Sequence, residues 1–145
     1  MKKAVLVFVC LFMLLLCGCN SEEQSDMENT KNGTVTVINK IKDADIWILP
    51  QTEKNLKTTV WGTATVSKLK TDEGRQAPLC ETGDDGLYIF RMIDTDSFYY
   101  SANGIKLENG DTIEIKRNED QACALEVRGE NGKVKNTYEV FSARL

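Results

Sequence analysis

The chain has 145 residues, 41% of them hydrophobic, with a formal charge of −4, five cysteines and no histidine. This length allows one domain, or one domain with short appendages. The absence of histidine excludes Ser-His-Asp and Cys-His catalysis, an imidazole general base and histidine metal ligands. The hydrophobic residues are unevenly distributed, since sixteen of them fall within residues 1–19 and the remaining 126 positions are about 35% hydrophobic.

The first 19 residues have the pattern of an export signal. Lys2-Lys3 precedes an apolar run of 14 residues, fewer than the roughly 20 that a membrane-spanning helix needs. The run leads into Leu16-Cys17-Gly18-Cys19. This sequence resembles the lipobox of bacterial lipoproteins, in which a small residue precedes the cysteine that receives diacylglycerol and becomes the new amino terminus.

Three cysteines compete for lipidation in this segment: Cys10, Cys17 and Cys19. Only Cys19 follows a small residue, Gly18, so the resemblance makes Cys19 the lipidated residue. It implies a lipid anchor on the extracytoplasmic face of a bacterial membrane, where two acyl chains give stable attachment. The alternative is an ordinary secretory signal or an uncleaved anchor.

A polar segment separates this signal from the rest of the chain. Residues 20–33 read NSEEQSDMENTKNG and contain one apolar residue, Met27, so we expect a disordered tether. Without Lys2 and Lys3, 16 basic residues stand against 22 acidic ones, a net charge of −6. An acidic domain with scattered lysines has no electrostatic footprint for nucleic acid.

Residues 34–145 alternate between apolar and polar positions, the period of β-strands. Asn-Gly pairs favour tight turns and predict two hairpins, one at Asn109-Gly110 and one at Asn131-Gly132. Frequent turns and the lack of a helical stripe predict an all-β domain, an antiparallel β-sandwich or small barrel of seven to nine strands. The domain also resembles uncharacterised exported β-sandwich domains, a resemblance that implies no activity. The predicted strands are Thr34–Ile41, Asp45–Leu49, Thr58–Leu69 (broken at Gly62), Leu87–Asp94, Phe98–Ala102, Ile105–Leu107 paired with Thr112–Arg117, and Ala122–Arg128 paired with Lys133–Ser142.

Two further cysteines lie in the predicted domain. Cys80 and Cys123 are 43 positions apart in a protein with an export signal, and disulfides persist outside the cytoplasm. A bridge between them would stabilise the fold by about 4 kcal/mol in the chain-entropy model. Two buried free thiols are the alternative.

Acidic residues cluster in two predicted loops at one end of the sandwich: Asp43, Asp45, Asp94 and Asp96. Carboxylates on flexible loops are typical calcium ligands. The same carboxylates are also what a hydrolase would use as a general acid and base. The competing interpretation is turn chemistry, because aspartate bonds its own backbone in tight turns.

Aromatic residues give the second candidate site: Trp47, Trp61, Tyr99 and Tyr100. Exposed tyrosine and tryptophan offer flat, amphipathic faces to sugars and peptides. Alternation places Tyr99 and Tyr100 on opposite faces of their strand. Ordinary core packing is the competing interpretation, and exposed, adjacent Tyr99 and Trp61 would decide between the two.

The sequence therefore predicts a membrane-anchored extracytoplasmic lipoprotein with a binding or structural role and no enzymatic activity. Its partners would be the membrane, through Cys19, and a protein, peptide or glycan. A small carbohydrate- or calcium-binding β-sandwich, or a carboxylate-dependent hydrolase at the cell surface, is the alternative.

Overall fold

Ten β-strands and one short helix make up the described part of the chain. The computed structural model describes residues 33–80 and 85–145. The predicted all-β sandwich is confirmed, with two sheets of five strands each. The elements are β1 (Gly33–Asn39), β2 (Ala44–Pro50), α1 (Glu53–Lys57), β3 (Val66–Leu69), β4 (Gly74–Leu79), β5 (Tyr88–Asp94), β6 (Phe98–Ile105), β7 (Thr112–Arg117), β8 (Cys123–Arg128), β9 (Val134–Glu139) and β10 (Phe141–Arg144).

The two sheets have mixed chain order. Sheet A runs β4-β1-β7-β8-β9, and sheet B runs β10-β6-β5-β2-β3. The described neighbours pair antiparallel except β1 and β7, which are parallel with Thr36 beside Thr112. The chain therefore crosses between the sheets several times, and each sheet contains strands from both halves of the domain.

The hydrophobic core lies between the two sheets and follows the alternation of the strands. On β1, Val35 and Val37 are buried, whereas the alternate residues Thr34 and Thr36 are more exposed. Tyr88, Phe90 and Met92 of β5 belong to the same core cluster. Each such side chain contributes about 1.5–3 kcal/mol when it is fully buried, so these inward-facing side chains hold the sandwich together.

The first predicted hairpin is wrong. Ile105 ends β6 in sheet B, and Thr112 begins β7 in sheet A, so the Asn109-Gly110 turn carries the chain from one sheet to the other. The buried Asp111 stabilises this crossing, because its Oδ2 accepts a hydrogen bond from the Glu108 amide at 2.9 Å. The Asn-Gly pair therefore does not by itself distinguish a hairpin turn from a turn that connects two sheets.

The second predicted hairpin is confirmed in part. β8 and β9 pair across Asn131-Gly132, but the pairing ends at Glu139. Residues 141–144 then leave for sheet B and pair with β6. The predicted strand at 58–69 is also corrected, since only Val66–Leu69 is extended in a sheet.

The structure does not contain the predicted disulfide between Cys80 and Cys123. Cys80 follows the last residue of β4, which pairs with Gly33, whereas Cys123 pairs with Arg117 at the other end of sheet A. Three strand spacings separate β4 from β8, about 14 Å at 4.8 Å per spacing. A disulfide requires Cα atoms within about 7 Å, so the fold keeps the two thiols apart.

The predicted signal, the lipobox with Cys19 and nearly all of the tether lie outside the described residues. β1 begins at Gly33, the last residue assigned to the tether. Across residues 33–80 and 85–145, none of the helical structure has the length and apolar character needed to cross a bilayer.

Candidate functional site

The outer faces of the two sheets differ in chemistry. The outer face of sheet A carries ion pairs, with Lys116 Nζ 2.9 Å from Glu126 Oε2 on the neighbouring strand β8 and 3.5 Å from Glu114 Oε1 on its own strand β7. The outer face of sheet B is mainly apolar and aromatic. Pairing of β2 with β5, and of β5 with β6, places Trp47 beside Arg91 and Ile93 beside Tyr99 on that face. The apolar and aromatic outer surface of the sandwich therefore belongs to sheet B.

Strand β5 is buried on both of its faces. Its inner residues belong to the core between the sheets, whereas Ile89 and Arg91 point outward and are still only 0% and 5% exposed. Part of the outer cover of Arg91 comes from the connection between β2 and β3, residues 51–65, which includes α1 and contributes Leu56 and Trp61 to a wall that Arg91 also lines. This connection, which we call the cover segment, makes the outer face of sheet B a second, smaller packing layer.

Hydrogen bonds fix the cover segment to the sheet. Gln51 Oε1 accepts from the Gly104 amide of β6 at 2.6 Å, and Asn55 Nδ2 donates to the Pro50 carbonyl at 2.9 Å. The hydroxyl of Thr52 caps α1 by accepting from the Asn55 amide at 3.1 Å. Such caps stabilise a helix by about 1 kcal/mol. These hydrogen bonds therefore fix the first part of the cover segment.

Three of the four predicted aromatic residues come together at the far end of the cover segment. The ring centroids of Trp47 and Trp61 are 5.5 Å apart in an edge-to-face arrangement, and those of Trp61 and Tyr99 are 5.5 Å apart and nearly parallel, at 15°. All three side chains are half-buried. Of the two conditions set by the sequence analysis, Tyr99 and Trp61 meet adjacency, whereas both are half-buried rather than fully exposed.

Each indole nitrogen also has a partner. Trp47 Nε1 donates to the Gly62 carbonyl at 3.1 Å, and Trp61 Nε1 donates to the Thr58 carbonyl at 3.0 Å. Both acceptors belong to the cover segment, and Gly62 has a positive φ of 66° that favours glycine there. These bonds orient the rings, so the aromatic face presented to solvent is pre-formed.

A groove of about 380 Å³ lies beside this stack. Its walls are largely apolar, and Leu56 and Leu145 on its rim are 43% and 72% exposed. Val60, next to Trp61 in the chain, is 79% exposed. The lining side chains are Leu56, Lys57, Thr58, Thr59, Trp61, Arg91, Ile93, Tyr99 and Leu145, and we call this feature the aromatic groove.

Arg91 is the buried charge of the aromatic groove. Its Nη1 donates to three neutral oxygens, at 2.8 Å to Asn103 Oδ1, 2.9 Å to the Phe90 carbonyl and 3.3 Å to the Ala102 carbonyl. Burial lowers the pKa of Arg91 from its ordinary value, and the neighbouring Tyr99 opposes that shift. An arginine remains protonated in proteins, so the groove contains a positive charge.

Tyr100, the fourth predicted aromatic, does not belong to the aromatic groove. It points inward, is 1% exposed and is part of the core cluster. Its hydroxyl donates to Asp94 Oδ2 at 2.9 Å. Burial, reinforced by this bond, raises the pKa of Tyr100 above its ordinary value. For Tyr100 the core interpretation was the right one.

The structure brings Asp43, Asp45 and Asp94 to the wall of one concavity, as the strand count predicts. Each carboxylate already has internal partners. Asp43 bonds Lys70 Nζ at 2.8 Å and the Thr71 amide at 2.8 Å, and Asp45 accepts from the Lys68 amide at 2.7 Å. Lys70 and nearby backbone amides therefore bind these carboxylates within the turns.

The remaining two carboxylates show the same turn chemistry. Asp94, 7% exposed, accepts from the Asp96 and Phe98 amides at 2.9 and 3.0 Å, while Asp96 pairs with Lys42. Within the described ranges, no group of three or more His, Cys, Asp or Glu residues is arranged to hold a metal ion. These bonds support the competing interpretation, turn and loop stabilisation by Asp43, Asp45, Asp94 and Asp96, while the calcium site stays a prediction.

Comparison of the chain with protein-family models, with curated proteins and with solved structures gives no significant match.

Sequence reasoning missed two parts of the aromatic groove. Arg91 stands in the otherwise apolar strand sequence Tyr88-Ile-Phe-Arg-Met-Ile93, and an isolated arginine in such a run was a readable signal. The sequence did not predict that the cover segment forms part of the groove, because this depends on how the segment folds back towards β5. Leu56 and Val60 carry no periodic pattern that marks them as groove residues.

We predict that Asp43 gives the fold a dependence on acid. Lys70, followed by the Thr71 amide, lowers the pKa of Asp43 from 3.8 to about 2. The folded pKa lies below the unfolded one, so stability is present above pH 3.8 and is lost as the pH falls towards about 2. Urea unfolding across this range should show a shallower acid loss for Asp43→Asn than for the parent.

Asp120→Asn is the control for that experiment, because Asp120 lies in an exposed turn with one weak bond, to the Ala122 amide at 3.4 Å. An equal flattening in Asp120→Asn would show that net charge, not the Asp43 site, sets the slope.

Proposed function

We propose that this protein is a lipid-anchored extracytoplasmic binding module whose ligand site is the aromatic groove. The anchor is the lipid on Cys19, the tether is residues 20–33, and the sandwich presents the groove. The role is non-enzymatic, and the ligand is held by stacking on Trp61 and Tyr99.

One observation carries the binding role: the Trp47, Trp61 and Tyr99 stack is half-buried and lies beside a groove. A stack used only for packing would be expected to be covered, as Tyr100 is. Pre-formed apolar concavities with a few oriented polar groups are the usual form of small-ligand sites. Rigid aromatic side chains supply contact area at low entropic cost.

The state of the loop carboxylates supports a non-enzymatic role. A general acid at neutral pH needs a raised pKa. The pKa of Asp43 is lowered instead, and the partners of Asp45 and Asp94 are backbone amides and a tyrosine hydroxyl. These groups stabilise loops in the described structure.

The lipid anchor is supported by the sequence of residues 16–19 and by the polar segment that follows. A flexible chain of fourteen residues has an average reach of about 20 Å. The sandwich would stay near the membrane while remaining free to turn its groove towards a ligand.

Tryptophan fluorescence gives a direct test of the groove, because the two tryptophans of the protein are Trp47 and Trp61. Titration of residues 33–145 with a panel of short peptides and soluble oligosaccharides should give a saturable emission change for at least one compound. Tyr99→Ala should weaken that binding about tenfold, since loss of a stacking anchor costs more than 1 kcal/mol.

Val134→Ala is the matched control, because Val134 is an exposed apolar residue, 47% exposed, on β9 of sheet A. Circular dichroism should show that both variants fold. Binding that is unchanged in Tyr99→Ala, or equally weakened in Val134→Ala, would contradict the groove as the site.

The anchor is tested by metabolic labelling with a radioactive fatty acid in a bacterial host. Cys19→Ala should lose both the label and the membrane attachment, whereas Cys17→Ala should retain both. A labelled Cys19→Ala protein would refute the assignment of Cys19.

A further inference from the structure

Arg91 is a buried cation without an acidic partner. It is 5% exposed, and none of the ion pairs in the described part of the chain involves it. Its three hydrogen bonds go to neutral oxygens of Phe90, Ala102 and Asn103. Buried charges in proteins are normally paired, whereas no acidic side chain of the described residues pairs with Arg91.

The free edge of the guanidinium has the geometry that a carboxylate fits. All three bonds to the protein come from Nη1. Among the residues that the structure describes, no oxygen accepts from Nε or Nη2, and these two nitrogens form one edge of the planar fork. Such an edge binds a carboxylate through two parallel hydrogen bonds.

The surroundings of that edge favour an anion. Arg91 lines the aromatic groove together with Trp61, Tyr99 and Ile93. The second charged side chain of the lining is Lys57, another cation, which pairs with Glu53 outside the lining. The other lining side chains are apolar, aromatic or hydroxylic.

We propose that the aromatic groove binds a ligand in which a carboxylate is attached to a flat or apolar body. The carboxylate lies on the Nε and Nη2 edge of Arg91, and the body stacks against Trp61 and Tyr99 beside Leu56. The volume of about 380 Å³ fits a group the size of an amino acid or a monosaccharide. This inference rests on the proposed function, since it names the ligand chemistry of the same groove.

Two sources supply this chemistry, a peptide carboxyl terminus and an acidic sugar. The first probe pair is N-acetylphenylalanine and its amide, and the second is glucuronic acid and glucose. Each pair differs in the carboxylate, so the ratio of the two affinities measures the carboxylate's contribution. Tryptophan fluorescence of residues 33–145 is the readout, at one ionic strength and neutral pH.

We expect at least one acid to bind about tenfold more tightly than its neutral partner, because hydrogen bonds between charged groups are the strong class. The pair that shows the preference identifies the source. Arg91→Met should bring that ratio close to one. Arg91→Lys, which keeps the charge but not the fork, should retain part of it, and Arg75→Gln on the exposed edge of sheet A should retain all of it.

The outcomes separate this inference from the proposed function. Equal binding of acid and neutral partner, still weakened by Tyr99→Ala, would overturn the carboxylate assignment and leave the groove as a binding site. A preference that persists in a folded Arg91→Met would overturn the role of Arg91. If neither acid gives a saturable change, the carboxylate inference is wrong. If Arg91→Met does not fold, the parent's acid-to-neutral ratio and Arg91→Lys decide.

Discussion

Strand β5 has to be covered on both of its faces, and much of the rest of the domain follows from this constraint. Tyr88, Phe90 and Met92 fill the core between the sheets, while Ile89 and Ile93 need cover on the outside. A two-layer sandwich supplies one cover. The second cover is the connection from β2 to β3, which folds back over the outer face of sheet B.

The cover segment is too short to hide the whole outer face. Arg91 is almost fully buried, but Tyr99 stays half-buried and Leu56 and Leu145 lie exposed on the rim. The aromatic groove is the part of the second layer that remains open. Sheet A has no such problem, because its outer face is polar and solvated. The location of the candidate site is therefore a consequence of how one apolar strand is covered.

Arg91 makes this partial cover chemically specific. A methionine in its place would satisfy the apolar surroundings without the cost of burying a charge. The arginine instead places a positive charge beneath the aromatic stack and bonds it to three neutral oxygens. Trp61 and Tyr99 would offer contact area to a ligand, and the hydrogen bonds of Arg91 would orient it. In the proposed carboxylate site, these groups together would discriminate by charge as well as by shape.

Period-two alternation allowed the sequence to predict the all-β sandwich. It also separated Tyr99 from Tyr100, since adjacent strand residues point to opposite faces. It did not predict which strands pair. The Asn109-Gly110 turn looks like a hairpin locally, but the strands on its two sides belong to different sheets, β6 to sheet B and β7 to sheet A. Pairing and the fold-back of the cover segment depend on long-range contacts that no local pattern encodes.

The predicted cysteine bridge was wrong, whereas the calcium site at the loop carboxylates stays a prediction. The bridge was inferred from two cysteines in a chain with a predicted export signal, and the calcium site from carboxylates in predicted loops. Cys80 and Cys123 lie at opposite ends of sheet A, which only the strand order reveals. The carboxylates of Asp43 and Asp45 do converge, but Lys70 and the backbone amides of Lys68 and Thr71 occupy them.

The most direct test of a half-covered, cationic aromatic groove is quenching of the two tryptophans by iodide and by caesium at equal ionic strength. The chain's net charge of −4 by itself favours quenching by caesium. Iodide should nevertheless quench more strongly, because Arg91 and Lys57 attract an anion to the surface beside Trp47 and Trp61. Stronger quenching by caesium, or no quenching by either ion, would contradict the account.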